Sequence, residues 1–122
     1  MAANQTLSNT LLLTDIPEMA TRFQALVPNN LCVHVATTPI EAEKLLSTTQ
    51  VEVIISCPQF AENSGFSFFD KVIIEYPDPI RIMITNIDEV QAAVSPINKG
   101  SIYKYLLKPL NKRQVLAPYR RS

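Results

Sequence analysis

Apolar positions along this chain come in short unbroken runs, separated by stretches where they recur every three or four residues. Leu11-Leu12-Leu13 is the first run and predicts a strand. Asp15 followed by Pro17 predicts a helix start, with a capping carboxylate ahead of a proline in the first turn, where the missing N–H costs nothing. Met19, Phe23, Leu26 and Val27 then share one helical face. Residues 32 to 36, Cys-Val-His-Val-Ala, predict a second strand. Thr38-Pro39-Ile40-Glu41 has the form of a capping box with proline at the first helical position, and opens a helix running to about Leu46.

Val51 to Ser56 is the third strand, nearly unbroken in its apolar residues, as expected of a strand covered on both faces. Gly65 precedes a helix in which Phe66, Phe69, Val72 and Ile73 share the inner face, which leaves Phe68 facing outward as a candidate partner contact. Tyr76-Pro77-Asp78-Pro79 ends that helix, because neither proline can continue it. Ile80 to Thr85 is the fourth strand. Asp88 with Gln91 suggests a cap for a fourth helix reaching Asn98, frayed or kinked by Pro96, and Gly100 stands where a left-handed C-terminal cap belongs. Ile102 to Leu107 is the fifth strand, and Asn111 with Gln114 caps a short last helix that Pro118 cuts off.

A strand followed by a helix, five times over, predicts an α/β fold: an open five-stranded parallel sheet, doubly wound with helices on both faces. Such sheets carry their functional crevice at the carboxyl ends of the strands, where the strand order reverses.

Composition narrows the function classes. With 122 residues, 47% hydrophobic and 18% charged, the chain is expected to be a single globular domain with a core over about residues 9–117. Eleven basic and eleven acidic residues cancel, so no overall field favours nucleic acid or an anionic membrane. No apolar run approaches the roughly 20 residues of a membrane span, and the start lacks the basic flank and long apolar core of a signal peptide. A cytoplasmic location is the expectation by default. Cys32 and Cys57 are expected as reduced thiols, and one histidine with no CxxC gives no metal-ligand spacing. Two glycines allow neither a GxGxxG turn nor a phosphate-binding loop, and no supported Ser-His-Asp arrangement exists, so an enzyme is not expected.

The predicted strand ends carry Thr14 and Asp15, then Cys57, Thr85 and Lys108, the last followed by Pro109. Together with YPDPIRIMIT (76–85), PINKG (96–100), YKYLLKP (103–109) and Gly65 eight positions after Cys57, this series resembles the receiver domain of two-component response regulators. The resemblance implies a flavodoxin-like architecture. It also implies a chemistry in which two acidic residues after strand one and an aspartate ending strand three hold Mg²⁺, and that aspartate accepts a phosphoryl group from a histidine kinase. A hydroxyl and a lysine then bind the phosphoryl oxygens and draw an aromatic residue of strand five inward. By the same resemblance Thr85 matches the hydroxyl, Lys108 the lysine, Tyr105 the switch aromatic and Asp15 one of the acidic pair. Thr14 stands where the other acid belongs, and Cys57 occupies the acceptor position.

One carboxylate with waters is a poor Mg²⁺ site, and a thiolate suits that hard ion badly, so Mg²⁺ binding is expected to be lost or weak, with no cofactor. Lys108 is expected to pair with Asp15 and hold the pocket in one state. The resulting expectation is an atypical receiver that works independently of phosphorylation, through protein contacts: with a histidine kinase, an output domain or itself as a homodimer. Those contacts would use the face of the fourth helix, fifth strand and last helix. Two alternatives stay open: a phosphorelay receiver with a non-standard acceptor, and a redox switch at Cys57. Against the redox switch stands plain packing, since free cysteine is among the most buried residue types. Cys32 reads as packing, and His34, alternating with Val33 and Val35, as a residue of the sheet margin or surface. The last helix, ending before Tyr119-Arg120-Arg121-Ser122, fits a stand-alone receiver or one domain of a longer protein.

Overall fold

The computed structural model describes residues 8–27, 31–57, 60, 65–85, 104–107 and 110–116. In chain order these form β1 (Ser8–Leu13), α1 (Pro17–Leu26), β2 (Leu31–Ala36), α2 (Pro39–Thr48), β3 (Val53–Ser56), α3 (Gly65–Glu75), β4 (Ile80–Thr85), β5 (Lys104–Leu107) and α4 (Lys112–Leu116). The five strands make one parallel sheet in the order β2-β1-β3-β4-β5. The expected doubly wound α/β sheet is therefore the observed one. The expected helix over Asp88 to Asn98, with its cap and Gly100, lies outside the described residues.

Alternation along the strands divides the core into two layers. Leu11, Leu13, Ile54 and Met83 face one way and pack with Ala42 and Leu46 of α2 and with Phe68, Phe69 and Val72 of α3. Leu12, Val53, Ile55, Ile82, Ile84 and Leu106 face the other way and pack with Phe23 of α1 and Val115 of α4, with Met19, Leu26 and Val27 partly buried against them. Both sides of β1, β3 and β4 are thus covered, which is why their apolar runs show no polar alternation.

Helix starts follow local chemistry closely. At α2 the Thr38 hydroxyl accepts from the Glu41 N–H at 3.2 Å, with Pro39 in the first turn. The returning Glu41 carboxylate accepts from the Thr37 N–H at 2.8 Å and from the Thr37 hydroxyl at 3.0 Å. Those bonds, the backbone one foremost, hold the Glu41 carboxyl below its ordinary value. Their contribution is therefore present above the unfolded value of 4.5 and lost as pH falls through the lowered folded one. Removing the cap as Thr38→Ala is expected to cost about 1 kcal/mol, read as a lower urea midpoint at unchanged slope. The last helix starts as its sequence suggests, the Gln114 N–H donating to Asn111 Oδ1 at 2.9 Å.

Two expectations are corrected. Asp15 does not cap α1: the N-cap residue is Ile16, and no side chain caps the helix. Instead the Ile16 N–H donates to the Thr14 hydroxyl at 3.1 Å, so the turn is closed one residue earlier. Phe68 does not face outward. It is only 6% exposed and meets Phe60 edge to face, with ring centroids 5.8 Å apart and planes at 71°. The outward position belongs to Ile74.

The turn before β4 is held from inside. Arg81 is buried, and its guanidinium donates to the Pro77 carbonyl at 3.3 Å and the Pro79 carbonyl at 3.0 Å. Burial lowers its pKa from the usual value. A charged side chain thus satisfies two carbonyls of this turn. Among the described residues no helix is long and apolar enough to cross a membrane.

Candidate functional site at the carboxyl edge of the sheet

β1 has β2 on one side and β3 on the other, so the chain changes direction across the sheet beside β1. The crevice of such a fold opens at the carboxyl ends of the two strands flanking that point. Leu13 pairs with Ser56 in the β1–β3 register, which puts Thr14 and Cys57 one residue beyond the last pair, side by side. The final rungs hold them there. Thr14 N–H donates to the Ala36 carbonyl at 3.1 Å, and Cys57 N–H to the Leu13 carbonyl at 3.3 Å.

Neither side chain offers an anionic oxygen. Thr14 is 2% exposed, and its hydroxyl already serves the Ile16 N–H. Cys57 is 1% exposed and in no disulfide. Asp15, the one carboxylate at this edge among the residues matched to the family's acids, is exposed. Cys57 thus follows β3 at this edge, and packing encloses its side chain.

Behind Cys57 the chain turns back at once. The Cys57 carbonyl accepts from the Phe60 N–H at 3.1 Å and from the Ser56 hydroxyl at 3.0 Å. Phe60 is fully buried in the α2–α3 layer and anchors this turn against Phe68. Sequence reasoning passed over Ser56 and Phe60. The available signal was one large apolar residue, Phe60, in the otherwise polar stretch before Gly65.

Thr85 ends β4 and Tyr105 lies in β5, where Thr85 pairs with Leu107 and Met83 with Tyr105. The backbone thus brings Thr85 to the same edge as Thr14 and Cys57. The roles given to the Thr85 and Tyr105 side chains, Lys108 and its expected pairing with Asp15 lie outside what the structure describes. Cys32 and His34 sit on β2, partly buried, away from this edge.

No family model matches the chain. Among curated proteins, the hydrogenase transcriptional regulatory protein HoxA of Bradyrhizobium diazoefficiens is 35% identical over 86 residues. The match covers 70% of this chain but 17% of that regulator, so the chain spans about a sixth of the curated relative's length. Among solved structures, the signal receiver domain of an HD domain-containing protein from Pseudomonas fluorescens superposes with a TM-score of 0.84 at 27% identity, covering 94% of this chain and 85% of that one. A response regulator from Burkholderia pseudomallei, carrying a phosphorylated aspartic acid, a calcium ion and citrate, superposes at 0.76 with 26% identity over 93% of this chain and 66% of its own.

Fold and sequence likeness together support a response-regulator receiver domain, the class of two-component signalling. At the end of β3 this chain carries Cys57.

Proposed function

We propose that this chain is a receiver domain that signals without accepting a phosphoryl group. In this reading it is a protein-contact module of a two-component-type regulator, with an output of the transcriptional kind that the HoxA likeness suggests. The observation that carries this reading is the enclosed thiol of Cys57 beside the committed hydroxyl of Thr14.

In the Burkholderia pseudomallei regulator the phosphorylated residue is an aspartic acid. An acyl phosphate forms only where a carboxylate attacks the phosphorus, and Mg²⁺ reaches that centre only where several hard oxygens replace its waters. The burial of Cys57 also favours packing over oxidant sensing, since sensor thiols are accessible. The contact face proposed is that of the helix the sequence predicts over Asp88 to Asn98, β5 and α4, engaging a kinase, an output domain or a second copy.

Size-exclusion chromatography of the chain with Mg²⁺ and acetyl phosphate, and separately with peroxide, tests this. The expected elution is the same in all conditions. A change with phosphodonor supports a phosphorelay receiver, and a change with peroxide that Cys57→Ser abolishes supports a redox switch.

A further inference from the structure

At the amino edge of the sheet, opposite the crevice, a groove of about 420 Å³ opens between the ends of α2 and α3. Its floor is apolar. Leu46 and Val51 are buried there, Ile80 is half-buried, and Tyr76 packs against the α2–α3 layer.

The rim is acidic. Glu52, Glu75 and Asp78 line it, all exposed, and among the described residues no lysine or arginine does. Backbone bonds on both sides fix Glu52 in place: its N–H donates to the Asn9 carbonyl at 2.9 Å, and its carbonyl accepts from the Ile80 N–H at 3.0 Å.

A second source of negative potential is independent of these carboxylates. Both α2 and α3 bring their carbonyl ends to the groove, at Thr49 and at Glu75. Neither helix has a basic residue in its last turn to offset that end. Two described cations of this region are already engaged. Lys71, one turn earlier in α3, pairs with Glu43 of α2, and Arg81 donates to the Pro77 and Pro79 carbonyls behind the turn.

We propose that this groove docks an arginine-bearing segment of a protein partner. Charge complementarity selects that chemistry. A guanidinium meets rim carboxylates through paired hydrogen bonds, stacks on an aromatic ring such as that of Tyr76, and lays its aliphatic stem on an apolar floor. An ammonium is more strongly hydrated and lacks the planar fork, so arginine suits the groove better than lysine. A purely apolar segment would strip water from the carboxylates without replacing it, and a polyanion such as nucleic acid is repelled. The volume falls within the range of about 300–1,000 Å³ usual for binding clefts. Glu52, Glu75 and Asp78 come from different segments, so linear spacing hides the rim.

The test titrates the isotope-labelled whole chain with a short capped peptide carrying two adjacent arginines, and with its twin carrying citrulline in their place. A saturable shift of the Thr49, Gln50, Glu52 and Tyr76 amides is expected with arginine alone, while Thr14 and Cys57 stay in place. Glu52→Gln combined with Asp78→Asn, both at exposed positions, is expected to weaken binding by about fivefold or more. Added salt is expected to weaken it further. Circular dichroism checks that the variant is folded. Absence of a saturable shift, or equal binding of the citrulline twin, overturns the proposal. So does peptide binding that the folded double variant leaves unchanged. Without peptide, groove amides that move on Arg120→Ser with Arg121→Ser mean that the chain's own end fills the groove, and amides that move with protein concentration mean that a second copy does. Either result overturns a separate partner.

Discussion

The double substitution Thr14→Asp with Cys57→Asp is expected to confer Mg²⁺-dependent phosphoryl uptake from acetyl phosphate, where neither single substitution does. Intact-mass measurement reads the adduct directly. The reason is cooperative. The acceptor must be a carboxylate, because the intermediate is an acyl phosphate. The ion that neutralises the transferred charge needs several hard oxygens at once. Cys57→Asp supplies the nucleophile but leaves Asp15 as its only acidic neighbour of the pair. Thr14→Asp supplies the pair but no acceptor. With both in place, three carboxylates stand at the ends of two adjacent parallel strands, since Thr14 and Cys57 each follow the Leu13–Ser56 pair.

The site tolerates the change at position 14 for a specific reason. The Thr14 hydroxyl accepts from the Ile16 N–H, and an aspartate oxygen makes the same bond in an Asx turn. A double variant that folds and still gains no phosphoryl group means that missing carboxylates alone do not account for the proposed lack of phosphoryl uptake.

The largest stability effect is expected at Phe69. Its ring is fully buried at the centre of the layer between the sheet, α2 and α3. Truncation to alanine leaves a cavity that close-packed neighbours fill only in part, and costs about 3–5 kcal/mol. Domains of this size hold about 5–15 kcal/mol in total, so Phe69→Ala is expected to populate unfolded chain measurably at 37 °C. Urea unfolding followed by far-ultraviolet circular dichroism gives the number. A loss below about 1 kcal/mol contradicts the packing described here. Ile74→Ala, at an outward position of the same helix, serves as the control and is expected to change little.

How much of this was legible beforehand follows from where each signal lies. The sheet was legible because β1 and β3 are covered on both faces and carry unbroken apolar runs, as does β4 apart from Arg81. The start of α2 was legible because Thr38, Pro39 and Glu41 act within one turn. Position 57 was legible because the run Val51 to Ser56 ends there.

Phe68 reads as outward because helical spacing alone assigns one face to Phe66, Phe69 and Val72. It does not see that Phe60, from a different segment, covers the neighbouring side of α3. Asp15 reads as the α1 cap because acceptors at Thr14 and Asp15 both suit a helix entrance, and only the backbone path selects the first. Arg81 reads as a charge interrupting a strand until its two proline carbonyls are seen. Contacts between residues distant in sequence, such as Asn9 with His34, have no linear signature at all.

The crevice beside Thr14 and Cys57 is proposed to take up no phosphoryl group. Amide resonances of the isotope-labelled chain, followed as Mg²⁺ and then beryllofluoride are added, test it most directly. Beryllofluoride mimics a bound phosphoryl group only where a carboxylate and Mg²⁺ hold it. The amides of Thr14, Asp15, Cys57 and Thr85 are expected to stay in place through both additions. A saturable shift of these amides that requires both reagents would contradict it.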